Sequence, residues 1–324
     1  MGVGVVALLL GLVCAAVMGL AIQRGGTCTV AAVEELLTTR RPARLVAMIE
    51  ASVWVGGGLL LARELGIVGG LPTGFALTHW TLAGAVLLGL GAMLNGACVI
   101  GSIARLGSGD LAFAAMPAGY YLACAAGASL AVTPAPQSLG GTSPAFGAPG
   151  VMLAIFAAMT AVRVASGLRA SPLSLRRAWT PHAATAVIGL AFLGLLLLMG
   201  AWSYTDLLAD LARAMGQGGM APNLMARVLI GIALLAGALA GGALTGQWRR
   251  QAVAGVALMR CFCGGLLMGW GSLLTPGGND SLVLIGMPLL WPYAWAAFAV
   301  MCATVAMARW SSSILVRRLR PVRT

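Results

Sequence analysis

The chain is 324 residues long, with 60% hydrophobic residues, only 9% charged residues and a formal net charge of +12. Because soluble domains usually carry about a quarter charged residues, this composition excludes an ordinary water-soluble domain. The positive charge would suggest nucleic-acid binding in a soluble protein, but here the arginines lie mostly between apolar runs, where they are typical of a topology signal.

Apolar runs along the chain approach or reach the roughly 20 residues that cross a bilayer core. Their expected ranges are 3–22, 43–62, 75–94, 110–132, 150–166, 183–200, 224–246, 252–274 and 288–308. The first run is long and has no basic segment before it, which favours a membrane span over a cleaved signal peptide. The sequence therefore predicts an all-α polytopic membrane protein with about nine transmembrane helices.

Arginine clusters predict how these spans are oriented, because cytoplasmic loops are enriched in basic residues. The clusters are Arg40, Arg41 and Arg44; Arg169, Arg176 and Arg177; Arg249 and Arg250; and 317-RRLRPVR-323. The loop 133–150 carries no charge and fits the opposite side. If the first of the nine spans begins on the outer side of the membrane, every one of these clusters lies in the cytoplasm. We therefore expect a multi-pass protein of the bacterial inner membrane, with a periplasmic amino terminus and a cytoplasmic carboxyl terminus.

The two halves of the chain resemble each other. The stretch 84-GAVLLGLGAML-94 aligns with 264-GGLLMGWGSLL-274, and 29-TVAAVEELL-37 matches 204-YTDLLADLA-212. An odd number of spans before the second copy would invert it, as in many secondary transporters; chance alignment of glycine-rich helices is the alternative. The expected single transmembrane domain consists of repeat 1 (about 1–132), a linking loop and span (about 133–180), repeat 2 (about 181–310) and a basic cytoplasmic tail (311–324).

Glycine-rich breaks interrupt the apolar runs at equivalent places in the two repeats. The first break is 95-NGAC-98 and the second is 276-PGGND-280. Each frees N–H groups at the start of a following short helix, near 99–106 or 281–287, and these groups together with the helix dipole suit an anion. Irregular backbone at membrane depth is tolerated only where it is buried or lines a cavity. We therefore expect short re-entrant helices at the centre; a kink filled by neighbouring helices is the alternative.

Both breaks and their surroundings supply candidates for a substrate path. Cys28 and Cys98 stand out because both lie in irregular, glycine-rich backbone, where a neutral thiol offers a weak donor and a polarisable sulfur to a soft anion. Arg24 and Arg105 are candidates for steering the anion or, equally, plain topology residues. The full candidate path is Cys28, Asn95, Gly96, Cys98, Gly278, Asn279 and Asp280.

The remaining cysteines are expected to be small apolar filler, as buried cysteines usually are. They are Cys14, Cys124, Cys261, Cys263 and Cys302. The chain has no cysteine–histidine spacing typical of a metal site and no GxxxxGK[ST] phosphate loop. We therefore expect no metal, no other cofactor and no nucleotide.

At these residues the chain resembles the YeeE/YedE family, membrane proteins associated with the uptake of thiosulfate and related sulfur compounds. The resemblance is carried by 23-QRGGTC-28, by 89-GLGAMLNGACVIGSIARLGSGDL-111 and by 264-GGLLMGWGSLL-274. It implies an inverted-repeat bundle of about nine helices with short central helices, and a substrate passed along a few central cysteines, which match Cys28 and Cys98. It also implies a possible partner in a cytoplasmic sulfur carrier protein of the TusA type.

The third cysteine of that family pattern is missing. Where thiosulfate-transporting members have Gly-Gly-Cys, this chain reads 276-PGGND-280, so the matching position is Gly278 or, with one inserted residue, Asn279. Either the substrate differs, or Asn279 and Asp280 supply other donors. The leading hypothesis is a transporter, not an enzyme, for a small thiosulfate-like anion. The alternatives are a passive channel for an unrelated solute and a membrane thiol protein that carries out sulfur transfer.

Overall fold

The computed structural model of the chain describes residues 4–68, 71–130, 134–140, 142–167, 179–217, 223–246, 248–249, 251 and 253–319. It is 79% helical. The helices are α1 (Val5–Gly25), α2 (Thr29–Thr39), α3 (Ala43–Glu64), α4 (His79–Asn95), α5 (Val99–Gly107), α6 (Ala115–Leu130), α7 (Pro149–Gly167), α8 (Pro181–Met199), α9 (Tyr204–Gln217), α10 (Leu224–Leu244), α11 (Gly255–Leu274), α12 (Asn279–Ser281) and α13 (Pro292–Leu319).

Short irregular pieces connect these helices. The 3-10 turns Leu111–Ala114 and Pro144–Phe146 precede α6 and α7, and a π-helical segment, Leu282–Gly286, follows α12. Two-residue strands, β1 (Gly74–Phe75) and β2 (Ser138–Leu139), pair antiparallel.

Among the described residues, nine helical stretches are long and apolar enough to cross a membrane. This confirms the predicted number of spans and the all-α polytopic fold. The ends of the long helices differ from the predicted ranges by at most five residues, except that α13 continues to Leu319. The third span, for example, begins at His79, because the Thr78 hydroxyl caps α4 by accepting the N–H of Thr81 at 3.3 Å.

The orientation of the termini stays a prediction. Several of the basic residues on which it depends lie outside the described residues, namely Arg169, Arg176, Arg177, Arg250 and residues 320–324. The helix α13 runs to Leu319, so the first part of the expected tail 311–324 is helical.

The nine spans place their connections in two sets, because consecutive spans run in opposite directions. The α3–α4 and α6–α7 connections lie on one side of the membrane, where β1 and β2 join them. The described parts of the α7–α8 and α10–α11 connections lie on the other side. These two sides decide where the cavities described below open.

Backbone-to-backbone packing of α4 against α11 forms the centre of the bundle. A Cβ atom at Gly84 would collide with the carbonyl of Gly271, and one at Gly91 with the carbonyl of Gly264. Membrane helices associate through such small residues, because apolar burial gives no driving force between helices in lipid. The same four glycines align between the halves of the sequence, so the internal similarity marks surfaces that contact each other.

Helix pairs recur between the two halves. The contact of α1 with α10 corresponds to that of α8 with α3, and the contact of α6 with α11 corresponds to that of α13 with α4. A two-fold relation between the halves would produce this pattern. The inverted sense of the repeat and the division at 132, 180 and 310 stay predictions.

The linking helix α7 is attached to the bundle by a polar and an aromatic contact. The guanidinium of Arg163 forms an ion pair with Glu50 of α3, and His182 of α8 lies 2.9 Å from the same carboxylate. The rings of Trp54 and Phe156 pack edge to face with their centroids 5.6 Å apart. Helix α7 therefore lies at the rim of the bundle, and the helices of the two repeats form its centre.

Candidate functional site

The first break is a sharp turn between α4 and α5. Gly96 has a φ of 84°, in the left-handed region that glycine adopts without steric cost. The Asn95 side chain holds the turn, because its Nδ2 donates to the Ala97 carbonyl at 2.6 Å and to the Ser102 hydroxyl at 2.8 Å. Asn95 and Gly96 therefore shape the backbone that presents Cys98.

Cys98 is 0% exposed and joins two helix starts. Its sulfur accepts the N–H of Gly101 at 3.4 Å, as the cap of α5, and the N–H of Thr29 at 3.2 Å, at the first residue of α2. Free N–H groups at a helix start need such acceptors. The N–H of Gly101, at a helix start that we expected to be open to an anion, is thus bound to sulfur, and so is the N–H of Thr29.

Cys28 completes this group, because its thiol lies next to the sulfur of Cys98. Cys28 is the residue that caps α2, in extended backbone with a φ of −159°. A Cβ atom at Gly101 would collide with the side chain of Cys28. Gly101, which sequence reasoning missed, therefore provides the space in which the two thiols meet.

The second break lies between α11 and α12 and is built around a carboxylate. Asp280 accepts the N–H of Thr205 at 3.1 Å and the Thr205 hydroxyl at 2.5 Å. Thr205 lies at the start of α9, so Asp280 orients the backbone of that helix. A Cβ atom at Gly278 would collide with the side chain of Thr205, so Gly278 serves this close packing.

Hydroxyl groups extend the second break. Ser281 lies 2.7 Å from the hydroxyl of Ser203 and donates to the Asp206 carboxylate at 3.2 Å. Sequence reasoning missed Ser203, Thr205 and Ser281, although the polar run 202-WSYTD-206 between two apolar stretches was a signal.

Asn279 is the residue of the second break with the least usual environment. It is 1% exposed, and within the described part of the chain neither atom of its carboxamide has a hydrogen-bond partner. The short helix that it begins packs against α9 and against α5, which follows Cys98. The two breaks therefore meet where α12 contacts α5.

The arginine cavity opens beside the first break. Its volume is about 440 Å³, and its lining includes Arg24, Cys28, Arg44, Gly96, Ala97, Arg105, Trp179 and Gln251. Trp179 and Gln251 belong to the α7–α8 and α10–α11 connections. The cavity therefore opens on the side of the membrane where those connections lie, and it brings both predicted steering arginines together with Cys28.

The two arginines occupy different positions in this cavity. Arg24 is buried, and its carbonyl accepts the N–H of Trp179 at 3.2 Å. Arg105 is exposed, and its guanidinium lies 6.0 Å from the centre of the Phe113 ring. Among the described residues Arg105 forms no ion pair with Asp110, and its side chain lines the cavity, so its charge faces the cavity.

The aspartate cavity opens beside the second break. Its volume is about 500 Å³, and its lining includes Thr73, Tyr120, Cys124, Pro134, Thr205, Asp206, Arg213, Ser272, Gly277 and Ser281. Thr73 and Pro134 belong to the α3–α4 and α6–α7 connections, so this cavity opens on the opposite side from the arginine cavity. Cys124, expected to be filler, lies in its wall.

Within the described part of the chain, the two cavities have no lining residue in common. Cys98 and Asn279 line neither of them, although their neighbours Cys28 and Ser281 do. The region where α5 meets α12 therefore separates two opposed cavities. We refer to this region, which contains Cys98, Asn279 and the contact between α5 and α12, as the barrier.

Comparison with known families agrees with this architecture. The model of a family described as sulphur transport matches residues 24–307. The chain therefore belongs to that family, which is the YeeE/YedE family. A search of curated proteins finds no match. The match spans both breaks and both cavities.

Proposed function

We propose that this multi-pass member of the sulphur transport family takes up a thiosulfate-like anion across the inner membrane. The observation that carries the proposal is the pair of opposed cavities with the Cys28–Cys98 group in contact with one of them. An open channel would join the cavities, whereas a barrier between them is what a transporter that exposes its site to each side in turn requires.

The chemistry of the barrier supports a soft, sulfur-bearing anion. The N–H groups of Thr29 and Gly101 and the thiol of Cys28 all contact the Cys98 sulfur. Donors that bind one end of a group polarise it, and chains of hydrogen bonds strengthen one another in a low dielectric. The S–H of Cys98 thereby becomes a stronger donor to a substrate sulfur. The N–H groups at the starts of α2 and α5 thus stabilise the anion indirectly, by polarising this thiol.

Charge supports a direction from the aspartate cavity to the arginine cavity. Arg24, Arg44 and Arg105 line the second of these. They outnumber the carboxylates Glu34 and Asp110 of the same lining, and net positive charge in a low-dielectric cleft attracts anions. If the arginine clusters are cytoplasmic as expected, this direction is inward. Reporter fusions at the carboxyl terminus test the orientation, and a periplasmic signal there contradicts it.

Uptake of labelled thiosulfate into a host that lacks its own thiosulfate uptake tests the function. We expect accumulation in cells that express the chain, together with growth on thiosulfate as sole sulfur source. Cells that express Cys98→Ala at the same level serve as the control and should accumulate at least about tenfold less, because a hydrogen bond to a charged group contributes about 1.5–3 kcal/mol. Absence of uptake by the unmodified chain contradicts the proposal.

Sulfur transfer at Cys98 is the second candidate, and the same three contacts favour it, because donors to a sulfur stabilise negative charge on it. A thiol enzyme needs a reactive thiolate, whereas a relay needs a shielded thiol. Alkylation of Cys98 in the folded protein distinguishes them. Rapid labelling without thiosulfate uptake favours the enzyme, and slow labelling with uptake favours the transporter.

A further inference from the structure

The carboxamide of Asn279 is a buried polar group without a described partner. Its Nδ2 and Oδ1 atoms have no hydrogen bond within the described residues, and the residue is 1% exposed. Native proteins satisfy most buried polar groups, because an unsatisfied one carries the full cost of its lost hydration. The adjacent Asp280 and Ser281 are both hydrogen-bonded, so within α12 only the Asn279 side chain lacks a described partner.

The direction of the Asn279 side chain follows from its neighbours. Successive residues of a helix are rotated by roughly 100°, and both Asp280 and Ser281 reach residues at the start of α9. Asn279 therefore points away from α9. A second helix against which α12 packs is α5, which begins directly after Cys98.

We propose that the Asn279 carboxamide is a specificity-determining contact for the anion in the barrier, opposite the thiols of Cys28 and Cys98. The proposal rests on the transport function stated above and deepens it. An amide Nδ2 offers two N–H donors that suit an oxygen, whereas the thiols suit a soft sulfur. The substrate class is then a sulfur oxyanion that carries both kinds of atom, in preference to hydrosulfide, which has no oxygen.

The hydrogen bonds in the structure also distinguish Asn279 from Asp280, the other residue considered for this role. Both carboxylate oxygens of Asp280 are used by Thr205. A carboxylate also repels an anion, whereas a carboxamide is neutral. Of the two, only Asn279 offers donors that an anion can take without a change in the protein.

The test compares Asn279→Leu with Thr304→Val in the full-length chain. Thr304 is a buried residue of α13 outside both cavities, whose hydroxyl bonds the Val300 carbonyl of its own helix. We expect Asn279→Leu to reduce labelled thiosulfate uptake at least about tenfold, the factor for losing a hydrogen bond to a charged group, and Thr304→Val to leave uptake near that of the unmodified chain.

Stability separates this role from a structural one. Replacing an unsatisfied amide by an apolar side chain of similar size leaves stability unchanged or raises it, so the Tm of Asn279→Leu in detergent should equal or exceed that of the unmodified chain. A lower Tm together with lost uptake overturns the proposal, because it shows that the amide is needed for folding. Normal uptake by Asn279→Leu overturns it as well.

Competition measures the specificity. In the unmodified chain, hydrosulfide should need at least about a tenfold higher concentration than unlabelled thiosulfate to halve the uptake, and the residual uptake of Asn279→Leu should show a narrower ratio. An unchanged ratio in Asn279→Leu overturns the inference alone, since thiosulfate uptake by the unmodified chain still stands. Absence of uptake by the unmodified chain overturns the proposed function and this inference with it.

Discussion

The two breaks perform the same structural task with different chemistry. In each, the side chain of the last residue of the break accepts the N–H of a threonine at the start of a short helix in the same half. Thr29 donates to the Cys98 sulfur at 3.2 Å, and Thr205 donates to the Asp280 carboxylate at 3.1 Å. Hydrogen bonds to ionised acceptors are roughly twice as strong as neutral ones. The aspartate break therefore holds its helix firmly, and the cysteine break holds its helix weakly enough for a ligand to compete.

Removing the sulfur should have the largest effect on transport. We expect Cys98→Ala to lower thiosulfate uptake about ten- to a hundredfold, from the roughly 1.5–3 kcal/mol of a hydrogen bond to a charged group. It also leaves the N–H groups of Thr29 and Gly101 without their acceptor, so the free energy of unfolding should fall by about 1–3 kcal/mol.

Cys98→Ser is the matched control for that change. Serine is a good helix cap, so stability should return to near its original value while uptake recovers only in part. Full uptake in Cys98→Ala, measured at matched expression, would remove the thiol from the mechanism and end the distinction between the two breaks.

Removing the carboxylate of Asp280 should lower stability more than removing the sulfur of Cys98. We expect Asp280→Ala to lower the free energy of unfolding by about 1.5–3 kcal/mol, because Thr205 loses a charged acceptor for both its N–H and its hydroxyl. Asp280→Asn keeps one acceptor and should lose less. Denaturant unfolding in detergent measures both, and equal stability of Asp280→Ala and the unmodified chain would show that the aspartate break does not hold α9.

Gly278 in the second break and Gly101 in the helix after the first should separate effects on packing from effects on transport. A Cβ atom at Gly278 meets Thr205, and one at Gly101 meets Cys28; overpacking of this kind costs about 1–3 kcal/mol. We expect Gly278→Ala and Gly101→Ala to lose similar stability in a thermal scan. Only Gly101→Ala displaces the paired thiols, so its thiosulfate uptake should fall further than its loss of stability predicts. Equal uptake by the two variants would contradict the different roles of the two breaks.

The smallest expected effect belongs to Arg105, whose charge faces the arginine cavity. Exposed charge interactions contribute about 0.2–1 kcal/mol, so Arg105→Gln should reduce uptake by about 1.5- to 5-fold. The reduction should shrink as ionic strength rises, because salt screens such charges. Uptake that keeps the same rate and the same salt dependence would make Arg105 a topology residue only.

The spans and the breaks could be predicted because their signals are local. An apolar run of spanning length is read directly from neighbouring residues, and Gly96 and Gly277 mark turns because their backbone lies at positive φ. Cys28 and Cys98 could be selected for the same reason, since each follows a glycine-rich stretch. Cys124 was not selected, because nothing in its helical surroundings shows that it lines a cavity formed with α9 and α11.

By itself the sequence determined that this chain is a nine-span membrane protein with two interrupted helices, because hydrophobicity and glycine act over a few residues. Only the tertiary structure decided what each interruption does. Thr29 reaches Cys98 across 69 residues, and Thr205 reaches Asp280 across 75. Contacts over such distances depend on how the glycine faces of separate helices pack, and no local pattern records which donor will meet which acceptor.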